Sequence, residues 1–272
     1  MRRAALLASA AALAAYAAWI EPRRLVVQRE ELTLPQWPAA LDGLRVGILT
    51  DIHAGMPHAG LDAVERAAEA LAAERPALVC LLGDFIDRRA VFARPVNTEA
   101  LISRLAPLTA ARRGAFAVLG NHDWYAGARQ IYDALIEAGV TVLEDSAAPV
   151  GDGLWVAGVG DYRVRGARVD RALMPVPEDA PVILLSHDPD VFPAVPERVS
   201  LTLAGHTHGG QVAIPLVRRP FVPSRHGERY VRGHVVEDGR HLHVSSGIGT
   251  SGLPVRLLRA PEVVSLTLRS PS

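Results

Sequence analysis

The stretch LAGHTHGGQV, residues 203–212, leaves an apolar run and at once presents two imidazoles, His206 and His208, flanked by Gly205, Gly209 and Gly210. Other apolar runs end in the same way. VGILT is followed by Asp51 and His53, and LVCLL by Gly83, Asp84 and Asp87. FAVL is followed by Gly120, Asn121, His122 and Asp123, and VILLS by His187. Any one of these has an ordinary explanation: an aspartate after a strand caps a turn, and an asparagine accepts a left-handed backbone. Five decorated run ends together point to a metal site on the carboxyl edge of a sheet, where open α/β folds bind ligands. Oxygen donors and imidazoles without a thiolate suit Mn²⁺, Fe or Zn²⁺ in a reactive centre better than a structural zinc. His58, His226, His234, His241 and His243 follow no such run and read as surface or packing residues.

The elements that must carry these residues alternate in the first half of the chain. LRVGILTDIH reads as a buried strand, and LDAVERAAEALAAERP as a helix with Asp62 and Glu65 at capping-box spacing. The strand ALVCLLGDF, a helix around Glu99 to Leu108, the strand AFAVLG and a helix from about Ala128 to Ala138 closed by Gly139 follow. That alternation predicts an α/β fold with a largely parallel sheet. The second half is a series of short strands, with EDGR at Glu237 to Arg240 as a hairpin turn. Two sheets packed face to face, with helices outside, accommodate both halves in one domain.

DIH, GDFID, GNHD, SHD and GHTH stand in the order of the signatures of the calcineurin-like metallophosphoesterases, which this chain resembles from Asp51 to His208. The tail, GHTHGGQVAIP with SSGIGTSGLPVRLLRAPEVVSLTL, is similar to that of the bacterial membrane-associated phosphodiesterases of the superfamily. That group includes exported enzymes and one type of UDP-2,3-diacylglucosamine pyrophosphatase. The resemblance implies a four-layer αββα sandwich and two divalent metal ions. It assigns Asp51, His53, Asp84 and His208 to one ion and Asp84, Asn121, His187 and His206 to the other, with Asp84 bridging. It makes His122 the group that protonates or stabilises the leaving oxygen, and Asp87 the carboxylate that orients His122. Arg88 resembles a phosphate-holding arginine, with a surface arginine as the alternative. Two cations about 3.5–4 Å apart lower the pKa of a shared water, giving hydroxide for in-line attack on phosphorus near neutral pH.

Composition bounds the partners. The 272 residues balance 29 basic against 29 acidic side chains, so the basic excess expected of a nucleic-acid binder is missing. The single cysteine, Cys80, excludes an internal disulfide. Residues 1–20, MRRAALLASAAALAAYAAWI, carry no charge from Ala4 to Ile20, a length of roughly 26 Å as a helix. They read as a signal peptide or a transmembrane anchor, and the paired arginines resemble a twin-arginine export signal without its usual aromatic residue. Residues 21–43 read as a linker rich in proline and charge, and 44–270 as the metallophosphoesterase domain.

The expected activity is hydrolysis of a phosphodiester or pyrophosphate bond, with a lipid precursor such as UDP-2,3-diacylglucosamine as the concrete candidate. The expected location is the bacterial inner membrane, through the N-terminal segment, with the side of the membrane open. The alternatives are an exported cell-envelope or broad-specificity phosphodiesterase and a catalytically silent metal-bound interaction module. YRVRG at 162–166 and PLVRRPFVPSRHGERY at 215–230 are candidate walls of the substrate cleft.

Overall fold

The computed structural model describes residues 2–214 and 222–271. The first sheet holds, side by side, β1 (Val26–Thr33), β12 (Glu262–Arg269), β2 (Leu44–Leu49), β3 (Leu78–Leu81), β4 (Ala115–Ala117) and β5 (Thr141–Val142). The second holds β10 (Gly233–Glu237), β11 (Arg240–Val244), β9 (Leu201–Ala204), β8 (Val182–Leu185), β7 (Trp155–Gly158) and β6 (Ser146–Pro149). Strands β2 to β5 run parallel, as do β7, β8, β9 and β11. β12 pairs antiparallel with β2, and β6 and β10 pair antiparallel with their neighbours. EDGR makes the β10–β11 turn expected of it.

The central strands are continuous apolar runs because both of their faces are covered. Val46, Ile48, Cys80 and Phe116 of the first sheet meet Val156, Ile183, Leu185, Leu201 and Leu203 of the second in one core. The outer face of the first sheet is covered by α2 (Leu61–Ala73), α3 (Thr98–Ser103), α4 (Ala106–Thr109) and α6 (Ala128–Glu137). In α2 the buried positions Val64, Ala67, Ala68 and Leu71 fall on one helical stripe. Around α7 (Val169–Leu173), a third cluster with Phe192 and Tyr230 covers the second sheet. These layers are the expected αββα sandwich. The thiol of Cys80 is buried between the sheets, and its pKa is raised by that burial.

Three local expectations differ. Gly60, without a side-chain cap, precedes α2, so Asp62 and Glu65 form no capping box, and Glu65 instead pairs with Arg104. The helix expected around Glu99 to Leu108 is two short helices, α3 and α4, since Pro107 lacks an N–H and restricts the residue before it. The stretch 21–43 is not a free linker: β1 pairs with β12 over its whole length, and Leu32, Leu34, Trp37 and Leu41 are buried in the inter-sheet core. Its charges sit on an edge strand, where charged side chains block further pairing.

The N-terminal segment is α1 (Arg2–Ala15), continued by a wider turn to Ile20 and a tight turn over Glu21–Arg23. Residues 2–23 contain an 18-residue stretch with a mean hydropathy of 1.5 and are the one helix, among the described residues, long and apolar enough to cross a membrane. Because β1 is parallel to β12 and β12 antiparallel to β2, β1 begins at the edge where β2 and β3 end. Replacing Leu266, fully buried on β12, by alanine is expected to lower the unfolding free energy by about 2–5 kcal/mol. Urea titration in mild detergent reads this as a lowered midpoint with an unchanged slope.

Candidate metal centre

All the decorated run ends converge on one sandwich edge. Asp51 and His53 follow β2, Asp84 and Asp87 follow β3, His187 follows β8, and His206 and His208 follow β9. β4 leads into α5 (Asn121–Ala126), whose first turn carries Asn121 and His122. The chain makes abrupt turns there. Asp51, His53, Asp84, His206 and His208 all have left-handed backbones, with φ between 47° and 68°. Such conformations are costly for non-glycine residues and gather at functional sites. Gly209 and Gly210 share the left-handed region, at φ 59° and 78°. Gly205 serves by close approach instead, since a Cβ there would fall onto Thr50 Oγ1 and Asp51 Oδ2. At Gly120 a Cβ would fall onto Asp84 Oδ1 and lie 2.8 Å from His187 Cε1.

The side chains form two nests, Asp51 with His53 and His208, and Asp84 with His187 and His206. His53 Nε2 lies 3.1 Å from His208 Nε2, and His187 Nε2 lies 3.1 Å from His206 Nδ1. Pairs of ring nitrogens turned towards one another suit a cation between them. Asp84 Oδ2 is 3.3 Å from His53 Nε2 and 3.2 Å from His187 Nε2, so one oxygen borders both nests. Asn121 Oδ1 is buried without a hydrogen-bond partner, a costly state that a cation relieves. These residues fit two divalent ions.

Neighbouring groups fix each ligand. His187 Nδ1 is 2.7 Å from the Leu82 carbonyl, which turns Nε2 into the nest. His206 Nε2 is 3.1 Å from the Pro223 carbonyl. Asp51 accepts hydrogen bonds from the Thr50 hydroxyl and the His206 amide, both at 2.9 Å. Asp123, fully buried, accepts from the amides of Asp84, Phe85, Ile86 and Gly120 and so ties the β3 loop to the β4 loop. Burial, reinforced by the charge of Asp84, pushes its pKa up to about 7.

Asp87 joins the nests to His122. Its Oδ1 accepts from the amides of Arg89 and Ala90, while Oδ2 lies 3.4 Å from His53 Nδ1 and 3.3 Å from His122 Nδ1. Burial would lower the pKa of His53, but Asp84 and Asp87 hydrogen bonds and the Asp84 and Asp51 charges outweigh it and push it up to about 10. Burial opposes charge at His187 as well, and the Asp84 carboxylate again outweighs it, raising that pKa. His206 and His208 move down, chiefly by burial.

A cleft of about 450 Å³ opens over the nests, lined by Asp84, Asn121, His122 and His206 and, on its walls, by Arg163 and Leu253 among others. Arg163, within the YRVRG stretch, is held by Asp188 at 2.8 Å and donates to the Pro223 carbonyl. Arg88 takes another position, with its guanidinium on the Ala126 carbonyl at 2.6 Å and near Thr98, and it does not line this cleft. Of the stretch 215–230, residues 215–221 lie outside the described residues, and Pro223 lines the cleft. His234, His241 and His243 gather on the β10–β11 hairpin, where His243 faces Glu30 at 3.2 Å. Sequence reasoning named Asp123 at a run end without giving it a role and passed over Thr50 and Asp188, although each adjoins a named ligand or motif. It also passed over Arg256, fully buried beside His208, for which an arginine in a loop gives no signal.

Two adjacent cation nests with a carboxylate-held histidine at the mouth of a cleft define a dinuclear metallohydrolase. Residues 44–238 match the calcineurin-like phosphoesterase family, and the chain belongs to it. An uncharacterised metallophosphoesterase of Aquifex aeolicus is 34% identical, over 81% of this chain and 83% of its own. Phosphodiesterase YaeI of Escherichia coli is also 34% identical, over 72% of this chain and 71% of its own. A transmembrane protein with a metallophosphoesterase domain from Danio rerio is 30% identical over 88% of this chain, which spans 56% of that relative. The protein is a metal-dependent phosphoester hydrolase with a dinuclear divalent centre.

Protonated His53 and His187 must lose their protons before they can take a cation. Mn²⁺ binding to metal-free protein at pH 7.5 is therefore expected to release about one to two protons per chain, and to weaken as the pH falls. Calorimetry in buffers of different ionisation enthalpy measures the release, and a pH-independent affinity would contradict it.

Proposed function

We propose that the chain hydrolyses a phosphodiester or pyrophosphate bond in a lipid-linked substrate, with UDP-2,3-diacylglucosamine as the leading candidate. Asp51, His53, Asp84 and His208 would hold one ion, and Asp84, Asn121, His187 and His206 the other. When bound, the two ions supply Lewis acidity at the phosphoryl oxygens and lower the pKa of a water beside phosphorus.

The remaining chemistry belongs to the chain's own residues. The observation that carries the reading is the position of His122, with Nδ1 towards Asp87 Oδ2 at 3.3 Å and its ring at the cleft. Held in that way, His122 presents Nε2 to the substrate and donates a proton to the leaving oxygen, while the Asp87 carboxylate stabilises the imidazolium. Asp87 also faces His53, so ligand and acid share one carboxylate. Arg163 binds a phosphate oxygen from the cleft wall, with Asp188 holding its guanidinium in place. Arg88 supports the loop instead, through Ala126. A catalytically silent module would have no use for the His122–Asp87 pair.

The lipid-linked reading is supported by the apolar N-terminal helix and by the Leu253 and Val255 side chains lining the cleft. The same helix supports anchorage in the bacterial inner membrane, with residues 44–270 and β1 as the catalytic unit. A broad-specificity phosphodiesterase is the second reading, favoured by the relative named a phosphodiesterase without a lipid.

His122→Ala is expected to cut kcat on an aryl phosphodiester by about 10²–10⁴-fold with both metal ions retained. Undiminished turnover would remove the acid assignment. Offered UDP-2,3-diacylglucosamine beside bis(p-nitrophenyl) phosphate, the Mn²⁺-loaded protein is expected to release UMP and lipid phosphate faster than nitrophenol. Cleavage of the aryl ester alone would shift the assignment to the broad-specificity reading.

A further inference from the structure

The base of the N-terminal helix is built into the catalytic unit. Glu21 is buried and accepts hydrogen bonds from the Leu258 amide at 2.9 Å and the Arg259 amide at 2.7 Å. The Arg256 amide donates to the Ala17 carbonyl at 2.9 Å, and Ala17 is itself buried. The Arg256 side chain continues inward, donating to the carbonyls of Ser246, Gly247 and Gly249. Gly249 in turn donates to the Asp51 carbonyl at 2.7 Å. The helix base, the 246–259 segment and the Asp51 loop are thus one hydrogen-bonded unit.

Topology puts that unit on the active edge. β1, which the helix enters, starts where β2 and β3 end, and β12 starts there too. The helix therefore rises from the edge that carries the metal nests. Its last turns hold the side chains that favour a bilayer boundary: Tyr16, Trp19, Arg23 and Arg24, with Arg24 donating to the Tyr16 hydroxyl at 2.8 Å. In a bilayer those residues would set the boundary at the level of Ala17 and Glu21, to which the 256–259 segment is hydrogen-bonded. In that segment Leu258 is 61% exposed, and Leu253, 53% exposed, lies within three residues of Arg256, at most about 11 Å along the chain. Ser251, Gly252, Leu253 and Val255 line the cleft.

We propose that the helix base and the 251–259 loop form a single surface seated on a lipid bilayer, with Leu253 and Leu258 entering it and the mouth of the cleft opening against it. This deepens the lipid-linked reading on which it rests: the phosphoester is taken from the bilayer surface, where its acyl part stays while the headgroup reaches His122 and Arg163. The same rigid contacts keep the cleft from turning towards bulk water when the helix is inserted.

The test uses the full chain in vesicles of phosphatidylethanolamine and phosphatidylglycerol. Cys80, the single native cysteine, is buried, so an introduced cysteine is labelled selectively. Leu258→Cys carries a fluorophore at the proposed surface, and Leu253→Cys gives a second reporter should the first fail to fold. Asp179→Cys, exposed just ahead of β8 on the opposite edge, is the reference. With iodide on both sides of the bilayer, labels at 258 and 253 are expected to be quenched several-fold less than the label at 179. Equal quenching would overturn the surface. Hydrolysis of bis(p-nitrophenyl) phosphate by the unlabelled wild-type protein in the same vesicles reports the phosphoesterase reading separately. A shielded label without hydrolysis supports the surface and undoes that reading; an exposed label with hydrolysis does the reverse.

Discussion

Asp51 and Asp84 are buried beside one another at the end of adjacent parallel strands, with Asp87 and Asp123 buried in the next turns. Carboxylates removed from water in this way repel one another, and the protein supplies them with imidazoles rather than an apolar neighbour. The energetic demand is for positive charge at two points about the Asp84 oxygen. His53 and His187, whose pKa values are raised by the neighbouring carboxylates, meet it by holding protons. The rest of the edge is built to keep that arrangement from relaxing.

Relaxation is opposed chiefly by the backbone. Left-handed turns at Asp51, His53, Asp84, His206 and His208 are individually unfavourable, and the sandwich core behind them keeps each loop from opening. Asp123 accepts three hydrogen bonds from amides of the β3 loop and one from Gly120 in its own loop, while the missing side chains of Gly120 and Gly205 let the neighbouring loops come close enough for carboxylate and imidazole to meet. Asp87 carries the constraint outward, since one of its oxygens faces both the ligand His53 and the cleft histidine His122. The nest histidine and the cleft histidine are therefore positioned by the same carboxylate.

The edge that carries the chemistry also carries the N-terminal helix. Glu21, Ala17 and Arg256 couple that helix to the loop behind Asp51, so the orientation of the cleft is tied to the orientation of the helix. An edge strand that looked like linker makes this possible, because β1 starts at the active edge and carries the chain across to the opposite edge, where β2 begins.

The chain's local patterns determined the alternation of strands and helices, the two-sheet architecture and the decorated strand ends, since apolar runs and the polar residues that stop them are neighbours in sequence. His206 and His208, Asp84 and Asp87, and Asn121 and His122 were legible for that reason. Only the tertiary structure decided that β1 belongs to the first sheet, that Arg163 rather than Arg88 lines the cleft, and that Arg256 is buried beside the centre. It alone joined Glu21 to Leu258, 237 residues apart. Pairings at such separation leave no spacing to read, because their partners are chosen by how whole sheets pack rather than by any period along the chain.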